Sequence, residues 1–85
     1  MIHKSISIPV TAEMKEYILA GSGDMRVATT CEGALIFSVK TSPPKTSDYV
    51  MAVGERKVYI SALQAQFIKV IDERMLPRCA LAKRK

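Results

Sequence analysis

One cysteine, Cys31, is the residue of this chain best placed to do chemistry. It lies in the sequence DMRVATTCEG (residues 24–33), where a β-prone run ends and Gly33 follows. This pattern predicts a strand that ends in a turn carrying the thiol. A metal, a partner or an oxidant can reach a thiol at a strand end, but not one inside a packed strand. Cys31 is thus predicted to be a ligand, a nucleophile or only a small turn residue.

Counting the cysteines favours a ligand over a nucleophile. Thiolates are the usual ligands of iron–sulfur clusters, most of which take four of them. The chain contains two cysteines, Cys31 and Cys79, so a symmetric dimer would supply four. A nucleophilic thiol needs a nearby base, and the single histidine, His3, lies close to a chain end. We therefore expect no enzyme activity, and the alternative to a ligand is a thiol that packs as a small apolar residue.

Length and composition predict one folded domain. The chain has 85 residues, of which 48% are hydrophobic and 25% charged. It has no Cys-x-x-Cys pair for zinc, and no apolar run long enough for a membrane span or a secretory signal. We therefore expect a cytoplasmic protein with reduced thiols. Three of the charges behind the net +5 are the last three residues, 83–85, which predict a solvated tail more than a nucleic-acid contact.

The first half of the chain must position Cys31. Residues 5–10 alternate apolar and polar side chains and predict a half-buried strand that stops at Pro9. Thr11 is a suitable cap for a helix that ends at the glycines of residues 21–23. Residues 25–30 and 34–41 are rich in β-prone side chains and predict two further strands. The apolar face of the predicted helix consists of Met14, Tyr17 and Ile18.

The second half predicts a hairpin and a second helix. Residues 48–53 and 57–60 are β-prone runs on either side of a short loop that contains Gly54. Ser61 and Gln64 have the spacing of a capping box, which favours a helix over residues 62–74. An alternative is a short helical turn followed by a strand that contains Ile68 and Val70. The apolar face of the longer helix would be Leu63, Phe67, Val70 and Ile71.

The order of these elements predicts an α+β fold, with a small antiparallel or mixed sheet and two short helices on one side. Residues 1–77 would form the single domain and residues 78–85 a basic flexible tail.

Several segments, taken together, resemble the HesB-like family of A-type iron–sulfur carriers. Residues 6–13 are similar to its opening strand and helix start, residues 24–27 to its next strand, and residues 31–34 to its cysteine-and-glycine turn. Residues 47–50 and 54–61 are similar to its acidic residue, hairpin and strand before a helix. The likeness spans about residues 6–66.

This resemblance implies a HesB-like fold and a role in binding or delivering iron or an iron–sulfur cluster, often across a dimer. By position, Cys31 matches the first ligand of that family. The family's second feature is a closely spaced cysteine pair in a glycine-rich tail, and here only Cys79 stands in its place. The alternatives are a protein-interaction module of the same fold without ligands, or a weak nucleic-acid-binding domain that uses the basic tail. The expected partners are another protein or a second copy of the chain, with no membrane contact.

Overall fold

Five strands form one mixed sheet in the computed structural model, which describes residues 3–21, 23–31 and 33–76. The strands follow the order β1-β4-β5-β2-β3 across the sheet. The elements are β1 (Lys4–Ser5), α1 (Ala12–Ala20), β2 (Met25–Thr30), β3 (Gly33–Ser38), β4 (Tyr49–Val53), β5 (Arg56–Ile60), α2 (Ala62–Ala65) and a 3-10 helix (Glu73–Met75). The predicted α+β class with a small mixed sheet is confirmed.

Two antiparallel hairpins make up most of the sheet. β2 pairs with β3 from Met25↔Ser38 to Thr30↔Gly33, and β4 pairs with β5. The hairpins join where β2 and β5 pair in parallel. The β4–β5 loop has two residues, and its Gly54 has a φ of 59°, which residues with a side chain rarely adopt. The β4–β5 hairpin was predicted as such, and β2 and β3 correspond to two predicted strands on either side of a turn.

Helix α1 covers the inner face of the sheet. Its start is fixed by Thr11, whose Oγ1 accepts a hydrogen bond from the Met14 backbone N–H at 3.3 Å. Met14 and Ile18 lie one turn apart and are fully buried, as the predicted apolar face requires. They pack with alternate residues of the strands, including Val27 and Val58. The helices and the core therefore lie on one side of the sheet, and the other side is its outer face.

Two predicted strands are shorter in the structure. The strand expected over residues 5–10 ends at Ser5. The Ile6 N–H still bonds to the Val50 carbonyl, but the Ile8 N–H bonds to the Met51 sulfur instead of a backbone carbonyl, so the pairing with β4 does not continue. The strand expected over residues 34–41 runs from Gly33 to Ser38. There a turn begins, since the Thr41 N–H bonds back to Ser38.

The helix predicted over residues 62–74 is wrong. Helix α2 ends at Ala65, and no side chain caps its start; Gln64 instead donates a hydrogen bond to the Thr29 hydroxyl at 3.1 Å. Farther along, Ile71 forms an isolated parallel bridge with Val10 and is fully buried. β-branched side chains favour this extended backbone over a helix. The alternative, a short helical turn followed by a strand that contains Ile68 and Val70, is closer to the structure, although the described chain forms only the isolated bridge at Ile71 there.

Two other expectations concern the chain ends and the membrane. None of the helices within the described residues is long and apolar enough to cross a membrane. The basic tail, residues 78–85, lies outside the described residues, and so does Cys79.

Candidate functional site

Cys31 lies at the tip of the β2–β3 hairpin and is exposed. The hairpin closes through the pair Thr30↔Gly33, which leaves Cys31 in the short loop between the strands. The Thr30 Oγ1 donates a hydrogen bond to the Gly33 carbonyl at 2.8 Å. Gly33 has a φ of 107°, a conformation for which glycine is strongly preferred. The predicted turn with an accessible thiol is therefore confirmed.

The described part of one chain does not surround this thiol with a complete set of metal ligands. Within it, no group of three or more His, Cys, Asp or Glu side chains is arranged to hold a metal ion. The thiolate is the right type of donor for iron or an iron–sulfur cluster, but Cys31 supplies one ligand. That Cys79 contributes to the same centre stays a prediction, since it lies outside the described residues.

A buried ion pair stands on the outer face of the sheet, near the start of β2. The Arg26 Nε donates to Asp48 Oδ2 at 2.6 Å, and its Nη2 donates to Oδ1 at 3.1 Å. Arg26 is 6% exposed and Asp48 2% exposed. Two parallel hydrogen bonds between guanidinium and carboxylate hold both groups in one geometry. Sequence reasoning missed this pair.

This ion pair fastens the long connection between the two hairpins. Residues 39–48 lead from the edge strand β3 past β2 and β5 to β4. Arg26 Nη1 donates to the Ser42 hydroxyl at 3.0 Å, and the Lys45 N–H donates to Asp48 Oδ2 at 3.0 Å. The first bond joins the connection to strand β2, and the second joins two residues within the connection. The charged groups therefore have a structural role, because each guanidinium nitrogen of Arg26 and each carboxylate oxygen of Asp48 already has a hydrogen-bond partner.

The electrostatics of Asp48 agree with this role. Burial raises the pKa of the Asp48 carboxyl. The hydrogen bonds from Arg26 and the Lys45 backbone, together with the charges of Arg26 and His3, lower this pKa by more than burial raises it. The pKa of Asp48 thus lies below its ordinary value, and the carboxylate stays ionised.

His3 contacts this cluster near the start of β2, whereas Cys31 follows the other end of that strand. The two side chains therefore do not form a catalytic pair. The His3 Nδ1 lies 3.0 Å from the backbone carbonyl oxygen of Asp48. A carbonyl oxygen only accepts, so Nδ1 carries the proton. The ring also meets Tyr59 edge to face, with centroids 5.1 Å apart. His3 therefore contacts both the connection, at Asp48, and strand β5, at Tyr59.

A signal for the ion pair existed in the sequence. Arg26 stands among Met25, Val27 and Ala28, all buried apolar residues. A charge within a central strand needs a partner if it is buried. The partner could not be found from spacing, because Asp48 is 22 residues away and the intervening connection has no regular structure.

An exposed apolar pair on α2 and its following turn is the second feature that sequence reasoning missed. Leu63 is 65% exposed and Phe67 72% exposed, although both were predicted to face the core. Beside them lies a groove of about 380 Å³ between α2 and the β1–β4 edge. The groove is lined by Ile6, Tyr49, Ala62, Ala65 and Gln66.

Comparisons with known proteins identify no relative of this chain. No family model matches the chain, and no curated protein or solved structure matches it significantly. The function must therefore be argued from the residues themselves.

Proposed function

We propose that this protein is a small non-enzymatic domain that binds or delivers iron or an iron–sulfur cluster through Cys31. The observation that carries the proposal is the exposed thiol at the tip of a two-residue hairpin loop. Iron and cluster sulfides prefer thiolate ligands. The resemblance to HesB-like carriers over residues 6–66 supports the same role.

The position of Cys31 is suited to transfer between molecules. A ligand at the tip of a hairpin can be approached by a second protein without unfolding the sheet. One described ligand per chain leaves the other coordination positions to other groups. These would be the Cys31 of a second copy, the Cys79 thiols or a recipient protein. Such shared ligation suits cargo that is handed on.

Anaerobic reconstitution with iron and sulfide tests the proposal. Wild type, Cys31→Ser and Cys79→Ser proteins are reconstituted in parallel, then assayed by visible absorption and by iron and sulfide analysis. We expect cluster absorption in wild type and its loss in Cys31→Ser. Thr29→Ser, an exposed change on the same hairpin, is the matched control and should retain the wild-type iron content.

Two outcomes would contradict the proposal. The first is a Cys31→Ser protein that holds as much iron as wild type, which would show that the thiol is no ligand. The second is a wild type that stays colourless and metal-free while still folded, as judged by circular dichroism. The remaining hypothesis would then be a protein-interaction module without ligands.

A further inference from the structure

We infer that residues 42–48 form a recognition loop, which presents Pro43 and Pro44 to a partner protein that has a groove of aromatic side chains. The loop lies in the connection between the two hairpins and has the sequence SPPKTSD. Aromatic-lined grooves bind proline-rich segments well, because such segments are already extended and lose little conformational entropy on binding. This inference does not rest on the iron proposal, since Cys31 lies on a different loop.

One guanidinium closes the neck of the recognition loop. Arg26 Nη1 donates to the Ser42 hydroxyl at 3.0 Å, and Arg26 Nε and Nη2 donate to the Asp48 carboxylate at 2.6 and 3.1 Å. The first and last residues of the loop are thus bonded to the same side chain, on the outer face of the sheet. Compact surface loops whose ends lie close together, called Ω-loops, are frequently functional.

The backbone of the recognition loop is restricted before any partner binds. The proline ring fixes φ at about −65° in Pro43 and Pro44. A residue that precedes a proline is held in the extended or polyproline region, which applies to Ser42 and Pro43. The chain then turns, because the Asp48 N–H bonds to the Lys45 carbonyl and the Lys45 N–H to Asp48 Oδ2, both at 3.0 Å. Binding therefore needs to order little of this loop.

The side chains at the tip of the recognition loop are open to a partner. Pro43 and residues 45–47 are exposed and Pro44 is half-buried, whereas Asp48 at the neck is 2% exposed. The loop thus separates the groups that hold it in place, at the neck, from the groups that another protein can contact, at the tip.

Charge narrows the kind of partner. Lys45 directly follows the two prolines and is exposed. The one carboxylate of the recognition loop, Asp48, is bonded to Arg26. The tip is therefore positive, and the chain as a whole carries a net charge of +5. An acidic side chain at the rim of the aromatic groove would attract Lys45 and fix the direction in which the segment binds.

Titration of WW domains with the full chain tests this inference. These small domains bind proline-rich segments in an aromatic-lined groove to which a tryptophan contributes. The chain itself contains no tryptophan, so a change in tryptophan fluorescence reports on the groove alone. Wild type should produce a saturable change in a WW domain with an acidic groove rim. Pro43→Ala and Pro44→Ala should each weaken this binding at least about fivefold.

Two further variants separate the tip of the recognition loop from its neck. Thr46→Ala is the matched control, an exposed change on the same loop, and should bind as wild type does. Ser42→Ala removes one bond from the neck and leaves both prolines in place. It should weaken binding by less than either proline variant, because the loop loses only part of its preorganisation.

The results also separate this inference from the iron proposal. Cys31→Ser should bind the WW domain as wild type does, because the recognition loop contains no thiol. A wild type that leaves the fluorescence of every WW domain in an acidic-rimmed set unchanged would overturn the inference. Proline variants that bind as tightly as wild type would overturn it as well. Circular dichroism of each variant confirms that the fold is retained.

Discussion

The two ends of strand β2 hold an arginine and a cysteine in opposite settings. Near its start, the Arg26 guanidinium is buried and bonded to Asp48 and Ser42. Just past its other end, the Cys31 thiol is exposed at a loop. The same strand thus holds one group whose bonding is complete and one that is open to solvent.

This difference separates a side chain that stabilises the fold, Arg26, from one that is free to bind a ligand, Cys31. The ion pair stabilises the fold only while both partners remain, since a lone buried charge is costly. The thiol contributes little to the fold and can therefore be used for a ligand. Each of the following predictions tests one side of that contrast.

Asp48→Asn should have the largest effect on stability. It leaves the Arg26 charge buried without its counterion, and breaking a buried pair in this way costs about 3–5 kcal/mol. Urea denaturation followed by circular dichroism measures the loss. The double variant Arg26→Met with Asp48→Leu should lose less than Asp48→Asn alone, because no buried charge remains.

The matched control is Asp72→Asn. Asp72 also accepts two hydrogen bonds from an arginine, at 3.1 and 2.9 Å, but that arginine, Arg74, is exposed. Water replaces such contacts at little cost, so its urea midpoint should stay close to that of wild type. Equal losses in Asp48→Asn and Asp72→Asn would show that burial of the first pair has no energetic consequence.

Arg26→Lys should have an intermediate effect. Lysine keeps the charge but cannot make the two parallel bonds to Asp48 together with the bond to Ser42. Loss of one or two charge-assisted hydrogen bonds costs about 1.5–3 kcal/mol. The urea midpoint should fall between those of wild type and Asp48→Asn. A midpoint equal to that of wild type would indicate that charge alone, without the fork geometry, holds the connection.

Acid should weaken the protein through the same carboxylate. The pKa of Asp48 is lower in the folded state than its ordinary value, which is about 3.9 in an unfolded chain. Its stabilising contribution is therefore fully present above that ordinary value and is lost as pH falls through the lower, folded-state pKa. Urea midpoints of wild type should drop more steeply below about pH 4 than those of the double variant Arg26→Met with Asp48→Leu. Parallel curves for the two proteins would contradict this assignment.

Cys31→Ser should have the smallest effect on stability. The thiol is exposed, and surface substitutions usually change stability by less than about 0.5 kcal/mol. In a Cys79→Ser background, a thiol reagent should modify Cys31 as fast in native protein as in urea. Slow labelling that urea accelerates would show that the native fold protects the thiol.

Local chemistry explains which parts of the fold could be predicted. Thr11 before an apolar periodic run, and short glycine-containing loops between β-prone runs, act within a few residues. Helix α1 and both hairpins follow from such signals. The position of Cys31 followed in the same way, because the residues around it determine the turn.

The remaining parts depend on contacts distant in sequence. Residues 62–74 have a helical apolar pattern, yet Ile71 pairs with Val10, which lies 61 positions earlier in the chain. That pairing overrides local propensity and leaves Phe67 exposed. The Arg26–Asp48 pair is nonlocal in the same sense. No pattern within a short window of sequence identifies either contact.

The parallel pairing of β2 with β5 has a kinetic consequence. Each hairpin closes over a two-residue loop, whereas the paired residues of β2 and β5, such as Met25 and Val58, lie 33 positions apart in sequence. Local hairpins form in about 1–10 μs, and closing longer loops carries a greater entropic cost. The hairpins should therefore form first, and their docking should limit the folding rate. Substitutions at Val27 or Ile60, which face each other across this junction, should slow folding more than they speed unfolding.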